Sequence, residues 1–374
     1  MNALRQLAGR ILTPQGWIDG VVRYDERIRA IEGRPCAAAL PGQGENIILP
    51  GFIDLHVHGG GGADTMQGGN AISTMTRLHA RHGTTALLAT TMTAPQAEIS
   101  HALSALADAC RQRTAGCARV LGVHLEGPYI NRGKLGAQPD NTCNAVLEQF
   151  DAFSRLAPIR LVTLAPEIPG HLAIIDALCE RGVKVQIGHT LGSYEDGVAA
   201  LRHGAAGFTH LFNAMTGLHH REPGMVGAAL AHAEYAELIP DLLHIHPGAM
   251  HAAMRAIPRL YCVTDSTAAA GMPDGQYTLG SHTVTKCLGG VRLSDGTLAG
   301  SILTMDQALK NLVSIGLTLR DASDRLSRNP ADYLGLEDRG RLAENAWADM
   351  VVLDAGLNLV GVCVEGEPIS LADV

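Results

Sequence analysis

Aromatic residues are scarce in this chain of 374 residues: Phe, Trp and Tyr together make up 4%, although hydrophobic residues make up 46%. A large core is therefore possible, but small aliphatic side chains must fill most of it. Glycine, in contrast, is abundant, with 43 residues, which favours a fold with many tight turns over long coiled helices. The length fits one large domain with an accessory piece, or two ordinary domains.

Basic clusters, long apolar runs and paired cysteines are missing as well. The formal net charge is −8 and no run of Lys and Arg occurs, which argues against a nucleic-acid-binding protein. We find neither the ~18 consecutive apolar residues of a membrane span nor an apolar signal-peptide segment near the first residue. The 8 cysteines are scattered without a CxxC pair, as in a reducing compartment. We therefore expect a cytoplasmic protein that binds neither nucleic acid nor membrane.

Short apolar, β-rich runs alternate with amphipathic helical patterns from Leu49 onward. There are eight strand candidates, from GFIDLHVH (51–58) to LYCVTDS (260–266), and eight parallel strands with helical crossovers close a barrel. The excess over the ~250 residues of that fold predicts long loops after individual strands. Both chain ends contain strand patterns without helices. We therefore predict an α/β protein with a TIM-type (β/α)8 barrel over residues 49–340. A small, β-sandwich-like accessory domain would contain residues 1–48 and 341–374.

Ligand-type residues recur at the carboxyl ends of the predicted strands. In chain order they are His56, His58, Glu126, His189, His210, His244 and Asp265. The carboxyl ends of barrel strands meet at one mouth, and His56 and His58 point the same way because side chains alternate along a strand. A single histidine at a strand end is more often a hydrogen-bonded turn residue than a ligand. The recurrence at the same point of successive strands favours a shared site for zinc or a similar divalent ion.

These motifs stand in the order found in the N-acetylglucosamine-6-phosphate deacetylases of the amidohydrolase superfamily, which the sequence resembles over nearly its whole length. The resemblance is carried by LPGFIDLHVHG, GVHLEGPY, IGHT, THLFNAM, REPG, VTDS and LAGSILTM. It implies that Glu126, His189 and His210 hold the main metal ion, most simply Zn²⁺. His56 and His58 would hold a second ion, with Glu126 between the two. Some family members lack the H-x-H pair and work with one ion, so either stoichiometry is open.

The resemblance also implies how the remaining residues hydrolyse an acetamide. Water must become a nucleophile near neutral pH, and a bound divalent metal lowers its pKa from ~15.7 towards ~7. Asp265 would act first as general base and then as general acid, and His244 would polarise the carbonyl or orient the sugar. The implied substrate-binding residues are Ala137, Gln138, Asn213, Ala214, Arg221, His244, Leu298, Ala299 and Gly300. Arg221, whose guanidinium suits a phosphate, would reach in from a neighbouring subunit, which implies a homodimer.

Two positions depart from the family pattern, which usually has His in place of Gln138 and Gly in place of Leu242. Gln138 can hydrogen-bond but cannot become cationic, and Leu242 adds bulk beside His244. The predicted reaction is deacetylation of N-acetyl-D-glucosamine 6-phosphate to D-glucosamine 6-phosphate and acetate. The alternatives are N-acetylgalactosamine 6-phosphate or another N-acylated amine as substrate and, in a different class, a non-catalytic sugar-phosphate-binding barrel. A hydantoinase-type enzyme is disfavoured because LVTLAPE, at the end of the fourth strand, has no lysine to bridge two metals.

Overall fold

The structure, a computed structural model, describes residues 4–37 and 45–372. Its first four strands are β1 (Arg5–Thr13), β2 (Gly16–Tyr24), β3 (Ile28–Pro35) and β4 (Ile47–Pro50). β1, β2 and β3 form an antiparallel meander, and β4 pairs in parallel with β1. Alternation along β1 and β2 buries apolar side chains such as Ile11 and Val22 on one face.

The next ten strands include all the strands of the barrel. They are β5 (Phe52–Val57), β6 (Gly59–Gly60), β7 (Ala63–Asp64), β8 (Thr84–Thr91), β9 (Arg119–Glu126), β10 (Ile159–Leu164), β11 (Lys184–Ile187), β12 (Gly207–Phe208), β13 (Glu237–Leu238) and β14 (Tyr261–Cys262). The short pair β6 and β7 forms a separate small ladder. The other eight are the predicted barrel strands, and every residue of β5 and β8 is buried, as expected for strands covered on both faces.

The barrel is closed by backbone hydrogen bonds between its pieces. Six strands form one parallel sheet in the order β12-β11-β10-β9-β8-β5, while β13 and β14 form a second parallel pair. The amide of Leu211 donates to the carbonyl of Glu237, and the amide of Asp265 donates to the carbonyl of His56, both at 2.9 Å. The predicted α/β barrel fold is confirmed.

Seven helices pack around these strands: α1 (Asn70–Arg81), α2 (Gln96–Arg111), α3 (Leu147–Ser154), α4 (His171–Glu180), α5 (Tyr194–Arg202), α6 (Gly224–His232) and α7 (Pro247–Ala256). Their apolar residues recur at helical spacing, as in α1, which buries Ile72, Met75 and Ala80 against the strands. The helix α5 begins with a capping box between Ser193 and Asp196. No helix within residues 4–37 and 45–372 is long and apolar enough to cross a membrane.

A small antiparallel sheet follows the last barrel strand, where the sequence predicts only a long loop. Its strands are β15 (Gly275–Leu279), β16 (His282–Cys287) and β17 (Gly290–Arg292). Val284 and Val291 of this inserted sheet pack with Met92 and Ala269 in a separate apolar cluster. The insertion therefore has its own small core, and Leu279 at the end of β15 forms part of the wall of the barrel mouth.

The chain ends with three helices and three strands. They are α8 (Met305–Ser314), α9 (Leu319–Leu326), α10 (Arg328–Leu334), β18 (Met350–Leu353), β19 (Leu359–Val364) and β20 (Glu367–Pro368). β18 pairs with β4, which joins both chain ends in one seven-stranded sheet in the order β20-β19-β18-β4-β1-β2-β3. Ile11, Val22 and Ile48 share its core with Met350 and Cys363. The predicted accessory β domain made from both ends is confirmed, whereas the exact boundaries at 48 and 341 stay a prediction.

An ion cluster around Glu365 ties the accessory domain to the barrel. Glu365 follows β19, and its carboxylate accepts two hydrogen bonds from Arg119 of β9, at 2.8 and 2.9 Å, and one from Arg113 at 3.1 Å. Arg339 bridges Glu365 to Asp349. Burial alone would raise the pKa of Glu365, but the guanidinium groups of Arg119 and Arg339 lower it to about 2.

We expect Glu365→Gln to lower the free energy of unfolding by about 2 kcal/mol, because the neutral amide is no longer attracted to the surrounding guanidinium groups. The shifted pKa of Glu365 alone would imply a larger loss, but solvent at the edge of the cluster screens part of this attraction. A lowered pKa stabilises the fold above the ordinary value near ~4.3, and this stabilisation is lost as the pH falls towards 2. Urea denaturation at several pH values measures both effects. Glu32→Gln, which breaks an exposed pair with Arg23, serves as the control and should cost less than about 1 kcal/mol. Equal stability of the two variants at neutral pH would contradict the expectation.

Candidate active site

Glu126, His189 and His210 converge at the mouth of the barrel. Glu126 ends β9, while His189 and His210 each lie two residues after the end of β11 and β12. Glu126 Oε1 lies 3.1 Å from the Nε2 atoms of both histidines, and these two nitrogens are 3.1 Å apart. All three side chains are buried. Because zinc lies about 2.0–2.2 Å from nitrogen and oxygen ligands, a single ion can contact all three atoms.

His56 and His58 form a second group on the other side of Glu126. Their Nε2 atoms are 3.2 Å apart and lie 3.4 and 3.1 Å from Glu126 Oε2. Asp265 Oδ1 is 3.4 Å from the first and 3.3 Å from the second nitrogen. The Glu126 carboxylate thus directs one oxygen to each group, which is the arrangement of a carboxylate between two metal ions.

The chemistry of this set of atoms fits divalent metal ions. His189 Nδ1 donates to the carbonyl of Lys134 at 2.8 Å, and a carbonyl can only accept, so Nε2 of His189 keeps its lone pair for a ligand. Imidazole nitrogens and carboxylate oxygens together suit zinc and similar borderline ions. The five predicted metal ligands are therefore gathered in two adjoining sets that could each hold an ion.

Opposite charges shift the pKa values of residues in this cluster. Burial alone would raise the pKa of Glu126, but His56, His189 and His210 hold it well below its usual range. Burial would lower the pKa of His58, yet its hydrogen bonds with Asp265 and Glu126 raise it to about 9. Protons therefore compete with metal ions for these imidazoles, and metal affinity should fall as the pH falls.

The backbone is strained at the residues that form this site. His189, His210 and Asp265 have φ values of 48°, 29° and 50°, and Ala214 has 52°, in a region that residues with a side chain rarely adopt. Such conformations persist only where the surrounding structure holds them, and they cluster at functional sites. The hydrogen bond from the amide of Asp265 to the carbonyl of His56 is one such constraint.

The metal-ligand cluster opens into a cavity of about 360 Å³. Most of the predicted substrate-binding residues line this cavity: Ala137, Gln138, Asn213, Ala214, His244, Leu298 and Gly300. Ala299 lies between two lining residues but is fully buried, and its amide donates to the carbonyl of Val291. Lys134 also lines the cavity and is a cationic residue that sequence reasoning missed, although it begins the segment KLGAQPD that contains Gln138.

Arg221 lies outside this cavity. It lines a separate surface depression with Tyr194 and Glu222, and its Nη1 atom lies 2.8 Å from His220 Nε2. The structure therefore does not bring the predicted phosphate ligand to the cavity of its own chain. The role of Arg221 in a neighbouring subunit stays a prediction.

The two positions that depart from the family pattern have different environments. Gln138 is buried, its Nε2 donates to Glu126 Oε2 at 2.6 Å, and its Oε1 accepts from the amide of Thr93 at 2.7 Å. It therefore supports the bridging carboxylate directly. Leu242 is 37% exposed and is not among the residues that line the cavity. Its neighbour His244 donates from Nδ1 to Asp241 Oδ2 at 2.6 Å, which orients the ring.

A parallel barrel that gathers imidazoles and carboxylates around an open cavity is typical of metal-dependent hydrolases. The chain belongs to the amidohydrolase family, whose model, described as "Amidohydrolase family", matches residues 47–370. This family depends on divalent metal ions. Among curated relatives, the N-acetylgalactosamine-6-phosphate deacetylase of Escherichia coli O157:H7 is 39% identical, with 96% of this chain and 97% of the relative covered. The N-acetylglucosamine-6-phosphate deacetylase of Vibrio furnissii is 38% identical, with coverages of 96% and 93%.

Solved structures show the same similarity over the whole fold. The N-acetylglucosamine-6-phosphate deacetylase of Thermotoga maritima superposes with a TM-score of 0.90 at 34% identity, covering 98% of this chain and 99% of that one. A mutant of the Mycobacterium smegmatis enzyme in complex with N-acetyl-D-glucosamine-6-phosphate also has a TM-score of 0.90 at 34% identity, with coverages of 98% and 100%. The resemblance found in the sequence motifs is thereby confirmed.

We expect the chain to bind about two Zn²⁺ ions, and His58→Asn to bind about one, because only the group with His56 loses a ligand. Elemental analysis after equilibrium dialysis measures the stoichiometry. His101→Asn, at an exposed histidine of α2, is the matched control and should keep both ions. Retention of two ions by His58→Asn would exclude this histidine as a ligand.

Proposed function

We propose that this chain is a metal-dependent N-acetylglucosamine-6-phosphate deacetylase, which hydrolyses the acetamide of N-acetyl-D-glucosamine 6-phosphate to D-glucosamine 6-phosphate and acetate. The observation that carries this proposal is the convergence of Glu126, His189 and His210 beside Asp265, at the floor of a cavity large enough for a small ligand. Deacetylases of this substrate from bacteria and mammals, at 36–39% identity over most of the chain, support it.

We propose zinc as the metal, held by Glu126, His189 and His210, with a second ion at His56 and His58. The preference of zinc for imidazole and carboxylate ligands supports this choice over magnesium or calcium, which prefer sets of oxygen atoms. When bound, the ion lowers the pKa of water and polarises the acetamide carbonyl. The chain's own task is to hold these ligands in place and to move protons.

Asp265 is the residue proposed to move the proton. It borders the cavity, and its pKa, which burial would raise, is lowered by the charges of His56 and His58. It is therefore ionised at neutral pH and can accept a proton from the attacking water. The same proton then passes to the amide nitrogen as the C–N bond breaks, which releases a neutral amine and acetic acid. The acid gives up its remaining proton to the solvent and becomes acetate.

His244 is proposed to hold the substrate in line for this attack. Its Nδ1 is engaged by Asp241, so Nε2 is the nitrogen that can meet the acetamide carbonyl or a sugar hydroxyl. Burial alone would lower the pKa of His244, but the Asp241 carboxylate raises it. The raised pKa favours the cationic ring, in which Nε2 is a hydrogen-bond donor.

We propose a homodimer in which Arg221 of one subunit binds the substrate phosphate in the cavity of the other. The support is that Arg221 is exposed on a surface separate from its own cavity, while Lys134 is a cationic residue at the cavity wall.

Location in the cytoplasm is also proposed, since all eight cysteines are free thiols, as a reducing compartment maintains them.

A second candidate substrate is N-acetylgalactosamine 6-phosphate. The E. coli O157:H7 relative, named for this activity, is 39% identical over nearly the whole chain. Gln138, where the family usually has histidine, also supports a different sugar preference, because its amide is hydrogen-bonded to Glu126 and Thr93. The amide keeps one N–H and one lone pair for the sugar, but unlike a histidine it cannot become cationic.

We expect the zinc-loaded chain to have its highest kcat/KM with N-acetyl-D-glucosamine 6-phosphate in a panel of acetylated amino sugars. Removal of the 6-phosphate should lower kcat/KM by about 10- to 100-fold, equivalent to about 1.4–2.8 kcal/mol. Asp265→Asn should lower kcat by about 10²- to 10⁴-fold, with the ion at Glu126, His189 and His210 retained. A higher kcat/KM for the galactosamine epimer selects the second candidate, and no hydrolysis of any panel member refutes the deacetylase proposal.

We expect Arg221→Ala to raise KM for the phosphorylated substrate by about 10- to 100-fold through loss of a charged contact. The kinetics with unphosphorylated N-acetylglucosamine should not change, which makes this substrate the internal control. Steady-state kinetics with both substrates measure the difference. Unchanged KM for the phosphosugar would exclude Arg221 as its ligand.

The origin of Arg221 in the partner subunit can be tested with mixed dimers. Co-expression of Arg221→Ala with Asp265→Asn places an intact Asp265 and a partner's intact arginine at one site of each heterodimer. Recovery of activity above that of both parents supports the shared site. If purified heterodimers show no recovery, Arg221 does not act across the subunits.

A further inference from the structure

A ring of buried polar side chains runs through the interior of the barrel beneath the metal-ligand cluster. Each of the eight strands contributes one member, either from the strand or from the residue that follows it. In strand order they are His56, Thr90, His124, Thr163, Gln186, Thr209, Glu237 and Tyr261, all completely buried. Buried polar groups of this kind are stable only when they are paired, and here each is hydrogen-bonded to another.

On one side of the ring the hydrogen bonds run from His124 to Gln186. His124 Nε2 lies 2.7 Å from Thr163 Oγ1, which lies 2.7 Å from Thr209 Oγ1. Thr209 Oγ1 donates to Gln186 Oε1 at 2.9 Å. Because the single hydroxyl proton of Thr209 is used there, Thr163 must donate to Thr209, and His124 must donate to Thr163. His124 therefore carries its hydrogen on Nε2.

On the other side the hydrogen bonds run from Gln186 to His56. Gln186 Nε2 donates to the hydroxyl of Tyr261 at 2.6 Å, and Tyr261 donates to Glu237 Oε1 at 3.2 Å. Glu237 Oε2 then faces His56 Nδ1 at 3.0 Å. A carboxylate can only accept, so His56 carries its hydrogen on Nδ1 and keeps the Nε2 lone pair, which faces Glu126 and Asp265.

Between Thr90 and His56 the link is through the backbone, at the amide of Val57 next to His56. Thr90 Oγ1 accepts from the amide of Val57 at 2.9 Å. Because His124 carries its hydrogen on Nε2, its Nδ1 accepts the hydroxyl proton of Thr90, at 3.4 Å the longest of these contacts. His56, His124 and Glu237 also lie close enough together to suggest another metal site. However, both ring nitrogens of His124 are hydrogen-bonded, to Thr90 and to Thr163, which leaves this histidine no free nitrogen for a metal ion.

We propose that Glu237 is a positioning residue that keeps His56 in the tautomer that the second metal ion needs, and that the ring of hydrogen bonds keeps Glu237 in place as an acceptor. The proposal rests on the second metal site of the proposed function. It extends that function by assigning a role to a carboxylate that is not itself a ligand. A carboxylate behind a metal-binding histidine typically contributes 10- to 100-fold to metal affinity.

The direction of the hydrogen bonds predicts opposite tautomers for the two histidines of the ring. This prediction can be tested on the wild-type protein. Two-bond ¹H–¹⁵N correlation spectra of zinc-loaded protein with ¹⁵N-labelled histidine, assigned with His56→Gln and His124→Gln, distinguish Nδ1–H from Nε2–H. The expected result is Nδ1–H for His56 and Nε2–H for His124. A hydrogen on Nε2 of His56, or on Nδ1 alone of His124, overturns the proposal.

Glu237→Gln tests the consequence for metal binding. In this variant Tyr261 still donates to the amide oxygen, so the NH₂ group must face His56 Nδ1. Nδ1 must then accept a hydrogen bond, and the hydrogen of the His56 ring moves to Nε2, where it blocks metal binding. We expect the affinity for the second Zn²⁺ equivalent, measured by competition with a chromophoric chelator, to fall about 10- to 100-fold. The affinity for the first equivalent should fall less than that for the second, because Glu237 Oε2 meets the first-site ligand His210 only at its backbone amide, at 3.4 Å. Glu234→Gln, at an exposed glutamate paired with Arg259, controls for the exchange itself.

A double variant distinguishes positioning from simple packing. In Glu237→Gln/Tyr261→Phe no tyrosine hydroxyl fixes the amide of residue 237, which can turn its oxygen towards His56. Part of the lost zinc affinity should then return. A packing defect would instead lower the zinc affinity further. Unchanged binding of the second equivalent in Glu237→Gln, or further loss in the double variant, overturns the proposal while leaving the deacetylase function intact. Failure of the wild-type chain to bind a second equivalent overturns both this proposal and the two-metal form of the function.

Discussion

The arrangement on which the rest of the structure depends is one buried carboxylate, Glu126, set between two pairs of imidazoles. Each of its oxygens lies within 3.4 Å of two Nε2 atoms. An ionised carboxylate is costly to bury unless positive charge is provided next to it. In this cluster protons or metal ions must provide that charge. The raised pKa of His58 and the lowered pKa of Glu126 express the same requirement.

The fold satisfies this requirement in three layers. The closed barrel brings strand ends that are distant in sequence to one point, and the left-handed backbone at His189, His210 and Asp265 aims their side chains at it. Beneath them, the ring of hydrogen bonds from every strand determines which nitrogen of His56 is free. Above them, the loop with Gln138 and the inserted sheet with Leu279 enclose the cavity. A local change in any layer therefore alters the reactive centre through identifiable contacts.

The sequence allowed the barrel to be predicted because strand patterns recur, and the cluster at its mouth because ligand-type residues recur in phase with them. The choice of metal ligands within that cluster came from the family resemblance and stays a prediction. Glu237 and His124 were missed, since each is a single polar residue inside an apolar strand, and its partners become neighbours only when the barrel closes. Gln138 was predicted to contact substrate, but its bond to Glu126 depends on how a loop folds back. The inserted sheet between Gly275 and Arg292 lies where the sequence predicted only long loops after strands, because its strands have 5, 6 and 3 residues and stand outside the repeating alternation of strand and helix.

Anomalous X-ray diffraction at the zinc edge, from crystals of the full chain grown with zinc, tests the central claim most directly. The account predicts a strong peak within coordination distance of Glu126 Oε1 and the Nε2 atoms of His189 and His210, with a second peak near His56 and His58. Zinc bound elsewhere on the chain, with these three side chains turned away from one another, would contradict it.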